Sequence, residues 1–301
     1  MMVPKSVLTL RQLLFVTTAT AIVWLFPVSA IADQAVKVVL KQSSIDQRGN
    51  YKHELLDLIL KASEDKFGPW HFVLSPPMPR KRALVEMKAG RTVNLHIAPA
   101  ERTWEAELIP IRIPIRKGLL NYRILMINKN NKARFANIKT ATDLKKLNVG
   151  LRQGWTTTKV MKALNFPIVP ARSYDGLFSM LDHARFDFIP RGINEVFGEF
   201  RARAKTHKDI MIEPDLIIRM PMPVYLYVSP KEPELAERVR YGFNKVRENG
   251  KFDTLFNRHF RQSIDDAKLS SRRLIDVGNP LLSKETPFDN PDLWFKTVLP
   301  K

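Results

Sequence analysis

The sequence predicts an α/β fold, because short apolar runs typical of strands alternate with segments whose apolar residues recur at helical spacing. This alternation occurs twice, once before and once after Tyr122. Strands that alternate with helices usually form a parallel sheet covered by helices. We therefore expect two α/β units in series. The order of elements is duplicated, although the residues themselves are not repeated.

The chain opens with Lys5 and Arg11, followed by the uncharged apolar stretch 13–28 and the small-residue sequence Ala30-Ile31-Ala32. This layout is typical of a secretory signal peptide with an A-x-A cleavage site, and an uncleaved membrane anchor is the alternative. We expect residues 1–32 to be removed and the mature chain to be soluble in the periplasm. No cysteine follows the stretch, which excludes a lipid anchor.

The composition limits the class of partner. The formal net charge of +19 favours anionic partners. The alternative is that the charge only keeps the protein soluble. Export argues against nucleic acid as the partner. The chain contains no cysteine, so no disulfide can form and the core alone must hold the fold. After the leader, roughly 270 residues remain, enough for one large or two modest domains.

The first unit is predicted to follow a β-α-β-α-β order. Its helices are expected to begin at the N-cap Asn50 and at Arg80, and the second to end at Gly90. Three prolines, the last being Pro79, separate the middle strand from the second helix. The predicted elements are strands 36–40, 71–74 and 93–98 and helices 50–66 and 80–89.

The second unit restarts the same pattern. Thr140-x-x-Asp143 resembles a capping box, and Ser173 can cap a further helix. The predicted strands are 123–128, 148–151, 168–169, 186–189 and 224–228, and the last helices are 193–204, 233–249 and 252–260. The tail 272–301 has few glycines and several apolar residues, so we expect a docked extension.

Three stretches resemble the periplasmic solute-binding proteins of family 3, the amino-acid-binding type. The first is Ala98-Pro99-Ala100-Glu101-Arg102, similar to the Thr-x-x-Arg segment of the family. The second is Asn148-Val149-Gly150-Leu151-Arg152-Gln153-Gly154-Trp155-Thr156, and the third is Tyr225-Leu226-Tyr227-Val228 with Asn249-Gly250-Lys251-Phe252. The resemblance implies a two-lobe periplasmic-binding-protein fold, with two doubly wound sheets joined by two crossover strands.

The resemblance also implies the division of the chain. Lobe one would contain residues 33–122 and 224–301, and lobe two residues 123–223. A ligand would lie in the cleft between the lobes, where the carboxyl ends of strands meet helix N-termini. Closure of the lobes about the crossovers would trap it.

Candidate ligand residues in lobe one are Arg102, Ser43 and Arg82. Arg102 matches the arginine with which the family binds a ligand carboxylate, and a guanidinium suits this because it donates two parallel hydrogen bonds. The alternative is a surface arginine. Ser43 and Arg82 flank predicted strand ends, although Arg80-Lys81-Arg82 is also a common solvated helix start.

Candidate residues in lobe two lie at a strand-to-helix turn. They are Arg152, Gln153, Trp155 and Thr156, and both the backbone amides and the helix dipole at such a turn favour an anion. Trp155 either forms a flat apolar wall of the ligand site or packs under the turn as part of the core.

Arg191 departs from the family pattern. Family members place an aspartate after this strand to hold the ligand ammonium, whereas this chain has Arg191. Glu195, one turn into the next helix, either restores the negative charge or pairs with Arg191. The departure argues against an ordinary α-amino acid and in favour of an acidic or phosphorylated ligand, or of no small ligand.

These observations predict an extracytoplasmic solute-binding protein that captures a small polar ligand, anionic or amino-acid-like, for an ABC transporter. The alternative is a periplasmic sensor or interaction module of the same fold that regulates a membrane partner. We expect a monomer without cofactor or metal. The six histidines lack H-E-x-x-H spacing, and neither a G-x-S-x-G elbow nor a P-loop is present, so the motifs do not favour an enzyme.

Overall fold

The structure is a computed structural model that describes residues 1–2, 33–39 and 48–296. The predicted leader and Ser43 lie outside the described residues. In the part of the chain that is described, no helix is long and apolar enough to cross a membrane.

The first sheet has five strands in the described residues and a mixed topology. Its strands are β1 (Gln34–Val38), β2 (Trp70–Leu74), β3 (Leu95–Pro99), β4 (Ile109–Ile111) and β11 (Val224–Val228). Their order across the sheet is β2-β1-β3-β11-β4. β1 runs parallel to β2 and β3, as predicted, whereas β11 runs antiparallel to β3 and β4 because it returns from the second sheet.

The second sheet is also mixed. Its strands are β5 (Tyr122–Asn128), β6 (Val149–Arg152), β7 (Ile168–Ala171), β8 (Phe188–Gly192), β9 (Ile210–Ile212), β10 (Leu216–Arg219) and β12 (Arg273–Asp276). The order is β12-β10-β5-β8-β6-β7, with β9 paired to β5. β6 is parallel to β7 and β8, and the crossing strand β5 is antiparallel to β8 and β10.

Helices cover both sheets. In the described residues they are α1 (Arg48–Lys61), α2 (Glu64–Phe67), α3 (Arg80–Ala89), α4 (Arg102–Glu107), α5 (Ala141–Leu144), α6 (Thr156–Ala163), α7 (Tyr174–Asp182), α8 (Ile193–Arg203), α9 (Pro233–Glu248) and α10 (Lys251–Ala267). The capping box at Thr140 and the cap at Ser173 are confirmed. We call the first sheet with its helices the first lobe, and the second sheet with its helices the second lobe.

The core of the first lobe depends on a close approach of α1 and α9. A Cβ at Gly242 of α9 would lie 2.1 Å from the carbonyl oxygen of Ile59 in α1, so only glycine fits there. On either side of Gly242, Val239, Phe243 and Val246 form the fully buried stripe predicted from their helical spacing.

Several elements differ from the predictions, among them three helices and the unpredicted strands β4, β9 and β10. α1 begins at Arg48, so Asn50 lies within its first turn and is not the N-cap. α4 was not predicted at all, because its six residues are too short to show a helical period. α10 extends to Ala267, beyond the predicted Phe260, because its amphipathic pattern continues through Ile264 and the buried Ala267.

The tail also differs from the prediction, because β12 is a strand of the second sheet rather than part of the first lobe. It runs parallel to β10 and is the edge strand at that side of the sheet. Arg272, just before β12, fixes this position: its buried guanidinium donates to the carbonyl oxygens of Ala267 at 2.7 Å and of Glu213 at 2.6 Å. These bonds satisfy donors that burial would otherwise leave unpaired.

Candidate functional site

Four polar side chains cross from one lobe to the other. Arg80, the first residue of α3, donates from Nη1 to Oγ1 of Thr156 at 2.6 Å, and Thr156 is the first residue of α6 in the second lobe. Lys159 of α6 donates from Nζ to Oε1 of Glu101 at 2.5 Å. The other oxygen of Glu101, Oε2, lies 3.1 Å from Nη1 of Arg80. We call Arg80, Glu101, Thr156 and Lys159 the interlobe cluster.

The first lobe holds Arg80 on an aromatic support. The Arg80 guanidinium lies 4.6 Å from the ring centroid of Trp104, and its Nη2 donates to the carbonyl oxygen of Pro99 at 2.8 Å. Burial lowers the pKa of Arg80, and the charge of Glu101 acts in the opposite direction. Its buried Nε makes no hydrogen bond to the described residues. The guanidinium of Arg80 is therefore held in place by the first lobe, and its Nε is the donor without a hydrogen bond in the described part of the chain.

His96 contributes to this support. Its ring lies 5.4 Å from that of Trp104, which in turn packs edge-on against Tyr227 at 5.4 Å. Burial, together with the charges of Lys52 and Arg80, lowers the pKa of His96 to about 3. His96 is consequently neutral near pH 7 and adds no further positive charge beside Arg80.

The second lobe presents the N-terminus of α6. Gly154 takes φ = +84°, which lets the chain turn sharply from β6 into α6. Trp155 occupies the N-cap position and its side chain does not cap the helix. The first amides of a helix have no partner within it, and the helix dipole adds positive potential, so this end suits an anion. Lys159 lies one turn from Thr156 on the same face.

Arg191 is buried and its charge is compensated within the second lobe. Its Nε and Nη2 each donate to Glu199 at 2.6 Å, and Nη2 lies 3.1 Å from Glu195. Burial alone would lower the pKa of Arg191, but the charges of Glu195 and Glu199 outweigh it and raise the pKa. Tyr174 also donates to Glu199, at 2.5 Å. Arg191 thus has its donors engaged by protein carboxylates.

Arg191 also supports Trp155. Its guanidinium lies 4.6 Å from the centroid of the Trp155 ring, and Tyr174 packs against the same ring at 6.3 Å. Trp155 is half-buried and packs against both large apolar clusters of the core. The buried guanidinium of Arg191 therefore stabilises the position of the Trp155 ring at the start of α6.

The structure brings only some of the predicted site residues together. Thr156 lies in the interlobe cluster, and Trp155, Arg191 and Glu195 form the layer behind it. Glu195 also accepts from the Gly192 amide at 3.1 Å, as in a capping box.

The remaining candidates do not join the cluster. Arg102 is exposed and donates from Nη2 to the carbonyl oxygen of Pro280 at 3.2 Å. Arg82, Arg152 and Gln153 are exposed as well.

Sequence reasoning missed two members and undervalued a third. The sequence favours a solvated helix start for Arg80 and presents Glu101 only as part of a motif. Lys159 was not considered. The sequence did contain a pattern that could have identified them. Lys159 follows Thr156 at i+3 on the predicted helix, and Arg80 directly follows the proline-rich segment after β2. Within the described residues, no group of three or more His, Cys, Asp or Glu side chains is arranged to hold a metal ion.

The chain matches no family model, and no curated protein is detectably similar to it in sequence. Its fold, however, is similar to those of solved structures. An ancestral arginine-binding protein bound to glutamine superposes with a TM-score of 0.53 at 16% identity, over 76% of this chain and 97% of that one. The arginine-, lysine- and histidine-binding protein ArtJ of Geobacillus stearothermophilus gives 0.50 at 13%, over 76% and 96%.

A histidine kinase sensor domain with similarity to periplasmic binding proteins gives a TM-score of 0.51 at 14% identity, over 75% of this chain and 95% of that one. With its two mixed α/β sheets, the chain therefore has the two-lobe periplasmic-binding-protein fold. The predicted resemblance to the amino-acid-binding type is confirmed at the level of the fold.

Proposed function

We propose that this protein is an extracytoplasmic solute-binding protein whose interlobe cleft captures a small ligand that carries a carboxylate or phosphate group. One observation carries the proposal: a cation from each lobe, Arg80 and Lys159, lies within 3.1 Å of one carboxylate, that of Glu101. A cleft that holds a carboxylate in this way has the charge and reach to hold the same group on a ligand.

The chemistry around Arg80 suits an oxyanion. Its guanidinium can donate two parallel hydrogen bonds, and its buried Nε makes no hydrogen bond to the described residues. The hydroxyl of Thr156, the ammonium of Lys159 and the first amides of α6 supply further donors from the other lobe. An amino-acid-like ligand would place its ammonium on Glu101, the acidic member of the cluster.

The site differs from our first assignment. We now propose Arg80, Thr156 and Lys159 as the residues that bind the ligand anion, in place of Arg102 and Arg191. Arg102 is bound to Pro280 on the surface, and the charge of Arg191 is compensated by two carboxylates. Trp155 remains a proposed wall of the site.

Similar folds support a role in solute capture. The superposed structures include proteins described as binding arginine, glutamine, lysine and histidine, and one described with glutathione import through a cystine ABC importer. We propose that this chain likewise delivers its ligand to an ABC transporter. The predicted leader supports a periplasmic location.

A thermal-shift panel of amino acids, dicarboxylates and phosphorylated solutes tests the proposal. A true ligand at 100 times its dissociation constant should stabilise the wild type by about 2.7 kcal/mol. Arg80→Met should abolish that shift, whereas the matched control Arg102→Met should retain it. An Arg80→Met variant that binds as well as the wild type would contradict the assignment.

The histidine kinase sensor domain of the same fold supports a second candidate, a sensor that regulates a membrane partner. The neighbourhood of the gene distinguishes the two. Genes for a permease and an ATPase beside it would favour transport, and a gene for a sensor kinase or cyclase would favour signalling.

A further inference from the structure

We propose that Glu101 is a built-in competitor for the ligand anion, which joins the two lobes when the cleft is empty and sets the affinity of the site. This inference rests on the proposed function, because it assigns Glu101 the place of the ligand's carboxylate or phosphate. Nothing in the predicted resemblance gives the residue before Arg102 such a role.

The two oxygens of Glu101 serve different lobes. Oε1 accepts from Lys159 of the second lobe at 2.5 Å, and Oε2 faces Arg80 of the first lobe at 3.1 Å. The carboxylate is only 14% exposed. Lys159 is half-exposed, with 51% of its side chain accessible, and Arg80 is more covered, at 25%, so solvent screens the contact with Lys159 more than the contact with Arg80. Glu101 therefore bridges the same two cations that the proposed function assigns to the ligand.

The backbone directs Glu101 into the cleft. Glu101 occupies the N-cap position of α4 with extended angles (φ = −155°, ψ = 130°), yet its side chain makes no capping hydrogen bond. Thr140, in the same position on α5, does cap its helix. The side chain of Glu101 therefore makes no bond to its own helix and instead reaches Lys159 of the second lobe.

Repulsion between like charges explains why Glu101 must yield to a ligand anion. The interlobe cluster contains two cations and one carboxylate, so a ligand anion that entered the intact cluster would meet a like charge at close range. A ligand anion therefore has to displace Glu101 from Arg80 and Lys159. If the Glu101-bridged state holds nine molecules in ten, the apparent affinity for the ligand falls about tenfold.

Glu101→Gln tests this role, with Glu107→Gln as the matched control. Glu107 lies on the same short helix, but its partner is Lys88 of the same lobe. Small-angle X-ray scattering of the ligand-free proteins should give a larger radius of gyration for Glu101→Gln than for the wild type and the control. Titration calorimetry with succinate and with inorganic phosphate should show affinity for at least one of them raised about tenfold.

Lys159→Gln supplies a second signature. It removes the bridge and also a proposed ligand-binding cation, so its ligand-free form should expand like Glu101→Gln while its affinity for the same anion falls. Opposite affinity changes with the same expansion cannot arise from general destabilisation. Circular dichroism confirms that each variant is folded.

The outcomes separate the two proposals. If the wild type binds succinate or phosphate but Glu101→Gln neither expands nor binds more tightly, the role of Glu101 is overturned and the proposed function stands. If Glu101→Gln and Lys159→Gln expand but no protein binds any anion, the bridge is supported and the proposed function fails.

Discussion

At the scale of the residue, Arg191 is a buried cation, 4% exposed, whose partners are Glu195 and Glu199. Removal of one partner from a buried ion pair leaves an uncompensated charge and costs about 3–5 kcal/mol. We predict that Arg191→Met lowers the free energy of unfolding in urea by that amount. Arg152→Met, at an exposed arginine, should change it by less than about 0.5 kcal/mol. Equal effects of the two substitutions would show that the Arg191 network is not structural.

His96 gives a prediction about pH. Its pKa is lowered in the folded protein from 6.5 to about 3, so the folded state binds fewer protons than the unfolded state between these values. The stabilising contribution of His96 is therefore complete above pH 6.5 and is lost as pH falls below it, by at most about 1.4 kcal/mol per unit. Urea unfolding at pH 7 and pH 5 should show a smaller loss of stability for His96→Gln than for the wild type. An identical loss in both proteins would refute this role.

Individual residues also show which contacts of the site could be predicted from the sequence. The pairing of Arg191 with Glu195 was one of the two alternatives that the sequence left open, whereas Arg191 lies within β8 and not after the strand as predicted. The second carboxylate, Glu199, lies one turn after Glu195 on α8 and therefore on the same face of that helix, so it was within reach of the same argument. Arg80 and Arg102 both begin helices, and no local pattern tells which of them faces the other lobe.

At the scale of the element, the turn from β6 into α6 decides where Thr156 and Lys159 lie. Gly154 takes φ = +84° there, and a Cβ at this position would meet nothing within 4 Å. Gly154→Ala should thus cost only backbone strain, about 1 kcal/mol of stability, and should weaken ligand binding by shifting α6.

Gly198 is the control for that prediction. It lies within α8, and an added Cβ also meets nothing within 4 Å, but its φ is helical. Gly198→Ala should therefore stabilise the protein by about 0.5–1 kcal/mol, measured by the same urea titration. If both substitutions changed stability in the same direction, the conformational argument for Gly154 would be wrong.

Elements differ in how far the sequence predicts them. α3 and β11 have the predicted bounds, because each combines a regular apolar pattern with a clear start or end signal. β12 could not be placed, because its partner β10 is 57 residues away and no local pattern identifies a strand partner at that separation. The bonds of Arg272 that secure β12 are tertiary and leave no trace in the local sequence.

At the scale of the whole molecule, the duplicated order predicted two α/β units and the family resemblance implied two lobes, and the fold confirms both. The order of elements was sufficient because each unit forms its own sheet, although one apolar cluster continues through both units. The polar contacts between the lobes could not be predicted, since they join residues far apart in the chain and no local pattern identifies the partners. Those contacts, from Arg80 to Thr156 and from Glu101 to Lys159, carry the functional proposal.

The most direct test is a crystal structure of the protein with the solute that gives the largest thermal shift. We predict that the carboxylate or phosphate of the ligand lies between the lobes, within hydrogen-bond distance of Arg80 and Lys159. The side chain of Glu101 should have left that position. A ligand bound elsewhere, or an anionic group held by Arg102 with the interlobe cluster intact, would contradict the account.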